Sequence, residues 1–277
     1  MPKILFVLIT LISSIAIAED DGYVVTCGEE TVPVSWTYCF QHDPSSQSRD
    51  VLYWFHGGGG DANTNLNAFK QDWKNRGVQR PAILTVSFGP FWFLTPKNGG
   101  ESSGRYEFFM DYIVPMLEGR FMLQGVNERV ALGFSMGGWN AAMVAIFKPE
   151  FFKRVAMAQP AILGVSPLAN DDAVQAYAEK HGLTLKTMKS QIAFVVTEYA
   201  TEADWQNYGP MPAAERLLSP LSPIFYISTA VGDPVYAPGG KEFAEIVQRK
   251  GAPLQHEERP GGHGDMNVRA VSKFLVP

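Results

Sequence analysis

The sequence predicts one α/β domain built on a mainly parallel sheet with helices on both faces. Three observations lead there. Short apolar, strand-like runs alternate with helix-like segments along most of the chain. At 277 residues the chain can bury one large core without staples. Its composition, 46% hydrophobic and 18% charged, is that of a soluble globular protein, with no repeat and no low-complexity tract.

The first element is a leader. In "MPKILFVLITLISSIAIAED", Lys3 precedes an apolar stretch that ends in Ala16-Ile17-Ala18, a small-x-small pattern. The stretch is short for a membrane span, so residues 1–18 read as a signal peptide and 19–277 as the mature domain. A secreted or periplasmic protein with no stable membrane anchor is expected. Losing Lys3 moves the formal charge from −5 to −6. That mild acidity gives no reason to expect nucleic acid or anionic lipid as a partner. Cys27 and Cys39 flank "GEETVPVSWTY", two short strands and their connection, and outside the cytoplasm a bridge between them is expected. Nothing suggests a zinc site.

The body then follows in order. "VLYWFHGGGG" is a buried strand running into glycines, and "AILTVSFGP" a second strand stopped by Gly-Pro. "GRYEFFMDYIVPMLEGRF" has helical spacing interrupted at Pro115. "RVALGF" is a strand, "MGGWNAAMVAIFK" a helix rich in small residues, and "RVAMAQPAIL" and "PIFYISTAVGD" further strands. "KEFAEIVQRKG" is a helix, "PLQHEERP" the last strand and "DMNVRAVSKFLV" a closing helix. About 60 residues, roughly 161–222, separate "AQPAI" from "PIFYIS", far more than an ordinary connection. Helical patterns near Asp171–His181 and Leu185–Tyr199 make this stretch a cap-like insertion over the carboxyl edge of the sheet.

Chemistry concentrates at strand ends. Residues 131–139, "ALGFSMGGW", set Ser135 between Gly133 and Gly137 where a strand turns into a helix, the context of a nucleophile elbow. A hydroxyl lifted above the sheet there meets the positive end of the following helix. Downstream of "VLYWF", the glycines of "HGGGG" can bring backbone N–H groups to an oxyanion without side chains in the way. Gly58 or Gly59 is the expected donor there, with the N–H of Met136 as the other, and His56 braces the loop. A serine needs a base, and the chain has five histidines. His42, His181 and His256 fall in a turn, in the insertion and within a strand. His263, in the loop "PGGHGD", is the base. The acid is Asp233, in the turn ending "FYISTAVGDPVY", between serine and histidine in chain order. Glu198 is its rival but lies in the insertion, and Asp265 is too near His263 to fold back onto it.

Taken together, "FHGGGG", "GFSMGG", "AVGDPVY" and "GGHGD" resemble the esterase group of the α/β hydrolases that includes esterase D, feruloyl esterases and related secreted depolymerases. The resemblance covers roughly residues 50–277 and implies an α/β-hydrolase fold, a Ser135–His263–Asp233 triad and no cofactor. His263 is followed by Gly264-Asp265-Met266, where many relatives carry an acidic residue and tryptophan, so no substrate is carried over. The implied function is an exported serine carboxylic ester hydrolase acting on a small or carbohydrate-linked ester through an acyl-enzyme. Transfer of the acyl group to an alcohol, as in mycolyltransferases of similar fold, uses the same residues. A non-catalytic binding protein on this fold is the third reading. Phe91, Trp92 and Phe93, together in "FGPFWFLTPKN", are candidate substrate contacts, set against the alternative that they pack beneath the cap.

Overall fold

The computed structural model describes residues 21–64, 66–123 and 125–277, and the backbone alone of residues 15–18. Most of the proposed leader, and Glu19 beyond its cleavage point, lie outside the described residues. The strands are β1 (Ile15–Ala18), β2 (Val24–Glu30), β3 (Trp36–His42), β4 (Val51–Phe55), β5 (Ala82–Ser87), β6 (Arg129–Phe134), β7 (Arg154–Ala158), β8 (Ile224–Ala230) and β9 (Leu254–Arg259). They form one sheet in the order β1-β2-β3-β5-β4-β6-β7-β8-β9. From β5 to β9 every pairing is parallel, and β1, β2 and β3 add an antiparallel edge. Cys27 and Cys39 stand opposite each other on β2 and β3 and are joined by a disulfide.

Strand β4 is buried at all five positions, because both faces of a parallel sheet are covered. Its side chains alternate between two cores. Leu52 and Trp54 pack with Ile83, Val130 and Leu132 against α1 (Asn67–Arg76) and the closing helix, through Phe69, Trp73, Val271 and Phe274. Tyr53 and Phe55 face the larger core on the opposite side. There α2 (Arg105–Glu107), a π-helical segment (Phe108–Ile113) and α3 (Val114–Arg120) follow one another directly. Pro115 therefore does not break the helix. It sits in the first turn of α3, and the wider π turn ahead of it accommodates the missing N–H.

Helix α4 (Met136–Phe147) is apolar on every side except at Asn140, which bonds the backbone of Trp92 and Leu94, and it is buried from Met136 to Ile146. It lies against β4, β6 and β7 and also against the insertion. The insertion between β7 and β8 holds α5 (Asp171–Lys180), α6 (Leu185–Ile192), a 3-10 turn (Val196–Glu198), α7 (Glu202–Tyr208) and α8 (Pro210–Leu217). Helices α9 (Ala237–Arg249) and α10 (Val268–Leu275) complete the layers.

Candidate active site

Ser135 begins where β6 ends, at φ 53° and ψ −116°, a left-handed conformation that costs a non-glycine residue about 1–3 kcal/mol. Backbone hydrogen bonds over-determine it. Its N–H donates to the Ala158 carbonyl at 3.0 Å, and its own carbonyl accepts from Gly138 at 2.9 Å and Ala161 at 2.9 Å. The flanking glycines are needed for space. A Cβ at Gly133 would lie 2.2 Å from the Gly137 carbonyl oxygen, and one at Gly137 would lie 1.9 Å from that of Phe55.

The turn after β8 and the loop after β9 bring the other two groups to this serine. The Ser135 hydroxyl donates to His263 Nε2 at 2.8 Å, and His263 Nδ1–H donates to Asp233 Oδ2 at 2.7 Å. Asp233 is 4% exposed, and its other oxygen accepts from the N–H groups of Val235 and Tyr236, each at 3.2 Å. Such a relay can take a proton from the hydroxyl while the carboxylate holds the imidazole in the right tautomer. Tyr236 packs its ring against His263 with centroids 4.9 Å apart.

In front of the serine lies a cavity of about 240 Å³, lined by Gly58, Phe91, Phe93, Phe134, Met136, Leu163, Phe194 and Val195 beside Ser135 and His263. Among the described residues, the N–H groups of Gly58 and Met136 have no hydrogen-bond acceptor. Gly59 is different, because its N–H is already donated to the Pro90 carbonyl at 2.8 Å. Of the two glycines expected from the sequence, only Gly58 has a backbone donor to spare.

With this geometry in place, residues 33–266 match the model of a protein family described as "Putative esterase". The chain belongs to this esterase family. It is a carboxylic ester hydrolase. No curated protein matches the sequence. Among solved structures, the chain is similar to an S-formylglutathione hydrolase from Agrobacterium tumefaciens, at TM-score 0.64 and 15% identity, covering 95% of this chain and 99% of that one. It is similar to a fungal esterase from Rhizomucor miehei at TM-score 0.65 and 16% identity, covering 91% and 83%. A ferulic acid esterase matches at TM-score 0.57 and 15% identity, covering 91% and 96%. At these identities the likeness is one of fold, the α/β-hydrolase fold.

Other residues of the esterase are placed less as the sequence suggested. Trp92, for which the sequence left substrate contact and packing as alternatives, is 1% exposed and off the cavity wall. Phe91 and Phe93 line the cavity and Trp92 does not. Trp92 instead donates its indole N–H to His56 Nε2 at 3.0 Å and its backbone N–H to Met136 Sδ at 3.2 Å. His56 is fully buried and donates from Nδ1 to the Gly57 carbonyl at 2.8 Å. Burial lowers its pKa, so it stays neutral and braces the glycine loop.

Glu198 makes no contact with His263. It is buried where the insertion meets the segment after β5, accepting from Thr95 Oγ1 at 2.7 Å and Ser102 Oγ at 2.9 Å. Asp265 accepts from the Gly262 N–H at 2.7 Å. His256 is exposed on β9, and His42 and His181 likewise make no contact with Ser135. The sequence reading passed over Gln159, at the end of β7. It is buried, holds φ at 47°, accepts from the Gly264 N–H and donates to the Asp265 carbonyl, so it grips the backbone just beyond His263. A polar residue before proline at the catalytic end of a strand was the available signal.

Proposed function

We propose that this esterase is an exported serine hydrolase in which Ser135 is the nucleophile, His263 the general base and Asp233 the acid that orients it. The observation that carries the reading is the unbroken relay from Ser135 Oγ through His263 to Asp233, open to a cavity. As Ser135 attacks the ester carbonyl, its proton passes to His263 Nε2 and Asp233 supports the imidazolium. The carbonyl oxygen, now negative, is held by the N–H groups of Met136 and Gly58, each such donor lowering the barrier by about 3 kcal/mol. The tetrahedral species collapses, the alcohol leaves with the proton from His263, and the acyl group stays on Ser135. Water then repeats the path in reverse and releases the acid.

Residues 161–222 serve as the cap, with Gln191, Phe194 and Val195 supplying one wall of the cavity. The substrates are small or carbohydrate-linked esters. Export is supported by the leader pattern and by the Cys27–Cys39 disulfide. No helix among the described residues is long and apolar enough to cross a membrane. Cleavage after Ala18 removes β1 and leaves β2 as the outer strand, with its pairing to β3 intact.

A fluorophosphonate probe followed by mass spectrometry of the secreted protein tests both halves of the reading. The adduct is expected on Ser135 of a chain beginning at Glu19. Ser135→Ala should abolish labelling and turnover. His263→Ala and Asp233→Asn should each lower kcat by about three orders of magnitude or more while the protein stays folded. Labelling that survives Ser135→Ala refutes the nucleophile, and an intact Met1 on the secreted chain refutes the leader.

A further inference from the structure

The cavity wall offers no charge to balance that of a charged acyl group. Its lining contains no lysine, arginine, aspartate or glutamate, and His263 is committed to Asp233. Two neutral polar side chains line it, Gln191 from the cap and Tyr236 from the turn after β8, and the Tyr236 hydroxyl donates to Gln191 Oε1. A carboxylate or ammonium entering this space would lose its water and gain at most a neutral amide, with no opposite charge, which is unfavourable. The space is also small, below the usual 300–1,000 Å³ range of ligand pockets, so it suits one part of a substrate rather than the whole.

Two aromatic rings close its mouth. Phe91 leaves the segment after β5 and Phe194 leaves the turn after α6, and the two stack with centroids 5.5 Å apart and planes 26° apart. Both stay largely in water, at 57% and 51% exposed, although each lines the cavity that holds Ser135. Phe91 also lies directly on the oxyanion loop, since a Cβ at Gly58 would fall 2.7 Å from its ring. Stacked so, the two rings narrow the space in front of Ser135, so a short apolar chain fits against them and a long one meets Phe194. A polar or charged chain gains nothing from the same surface.

We infer that this cavity receives an uncharged, apolar acyl group, and that Phe194, stacked on Phe91, sets the largest acyl group accepted. The inference rests on Ser135 being the nucleophile, and the experiment separates the two. Hydrolysis of p-nitrophenyl butyrate, decanoate and hemiglutarate is measured for the wild type and for Phe194→Ala, Phe194→Trp and Ser135→Ala. Butyrate should exceed hemiglutarate about a hundredfold in kcat/KM, because the terminal carboxylate finds no cation on the cavity wall. Phe194→Ala should raise the decanoate-to-butyrate ratio about tenfold, and Phe194→Trp should lower it. Leu221→Ala, which removes an exposed side chain off the cavity wall, should leave the ratio unchanged. Hemiglutarate turned over as fast as butyrate overturns the inference while leaving Ser135 in place. So does a decanoate-to-butyrate ratio that neither Phe194 variant moves. Turnover that survives in Ser135→Ala overturns both readings together.

Discussion

His263 sits on a loop whose neighbours Gly261, Gly262 and Gly264 leave the backbone free to wander. Gln159 opposes that freedom from the adjacent strand end, with its side-chain amide bonded on both faces to the segment after the histidine. Its left-handed backbone aims the amide there, and the N–H of Gln159 is fixed in turn by the Ser228 carbonyl at 2.8 Å. Gln159→Leu keeps the volume but removes both hydrogen bonds. Under the proposed mechanism it should lower kcat by ten- to a hundredfold with KM nearly unchanged, because a misplaced base slows proton transfer without altering the cavity. Gln159→Gly relieves the backbone strain yet lacks the amide, so it should be impaired as well. Wild-type kcat in Gln159→Leu would make the residue merely structural. Ser135, His263 and Asp233 each stand in a local sequence pattern with a physical demand behind it. Gln159 carries a weaker mark, a polar residue before proline at a strand end, because its contacts are with a loop that lies more than a hundred residues further on. For Trp92 and for the choice between Gly58 and Gly59 the sequence left alternatives open for a related reason: it shows which groups are near the site but not which way they point or what already occupies their donors.

Between residue and fold lies the junction of the insertion with the segment that follows β5. Glu198, at the 3-10 turn, accepts hydroxyl groups from Thr95 and Ser102, while the Thr197 carbonyl takes the Glu101 N–H at 2.8 Å. The join is tight, for a Cβ at Gly100 would come within 2.1 Å of the Glu198 carbonyl oxygen. Burial pushes the Glu198 carboxyl above its ordinary value, by more than the two hydroxyls and the nearby Arg105 charge draw it back. The folded state therefore holds this proton more tightly than the unfolded chain. Stability from this group is greatest below the ordinary glutamate value and declines as pH rises from there through the raised one. Glu198→Gln should retain most turnover and should melt at a temperature that changes less than the wild type between about pH 4.5 and 7. A crippled enzyme, or an unchanged pH slope, would contradict this placement. Helix α1 shows the limit of pattern reading at the same scale. "NAFKQDWKNR" buries only Phe69, Lys70 and Trp73, too few apolar positions to stand out, and Lys70 reaches the core through its ion pair with Asp21 at 2.9 Å.

For the molecule as a whole, the alternation of apolar runs gave the sheet core from β4 to β9 and every helix that packs on it except α1. A buried parallel strand announces itself by composition alone, whereas the antiparallel edge and the internal path of the insertion depend on contacts between distant segments. The edge and the catalytic centre are well separated. Strands β5 and β4 lie between β3 and β6, which puts Cys39 about 14 Å across the sheet from the strand that carries Ser135. The Cys27–Cys39 link thus acts on the unfolded chain rather than on chemistry. Tying residues 12 apart removes disorder worth about 3 kcal/mol from the denatured ensemble. Replacing both cysteines with serine should lower the melting temperature by about 6–12 °C and leave kcat/KM as it was, read by calorimetry and ester hydrolysis on the same sample. A reductant should do the same to the native enzyme, so the heat at which it fails would follow the redox state of its surroundings while its rate at moderate temperature would not.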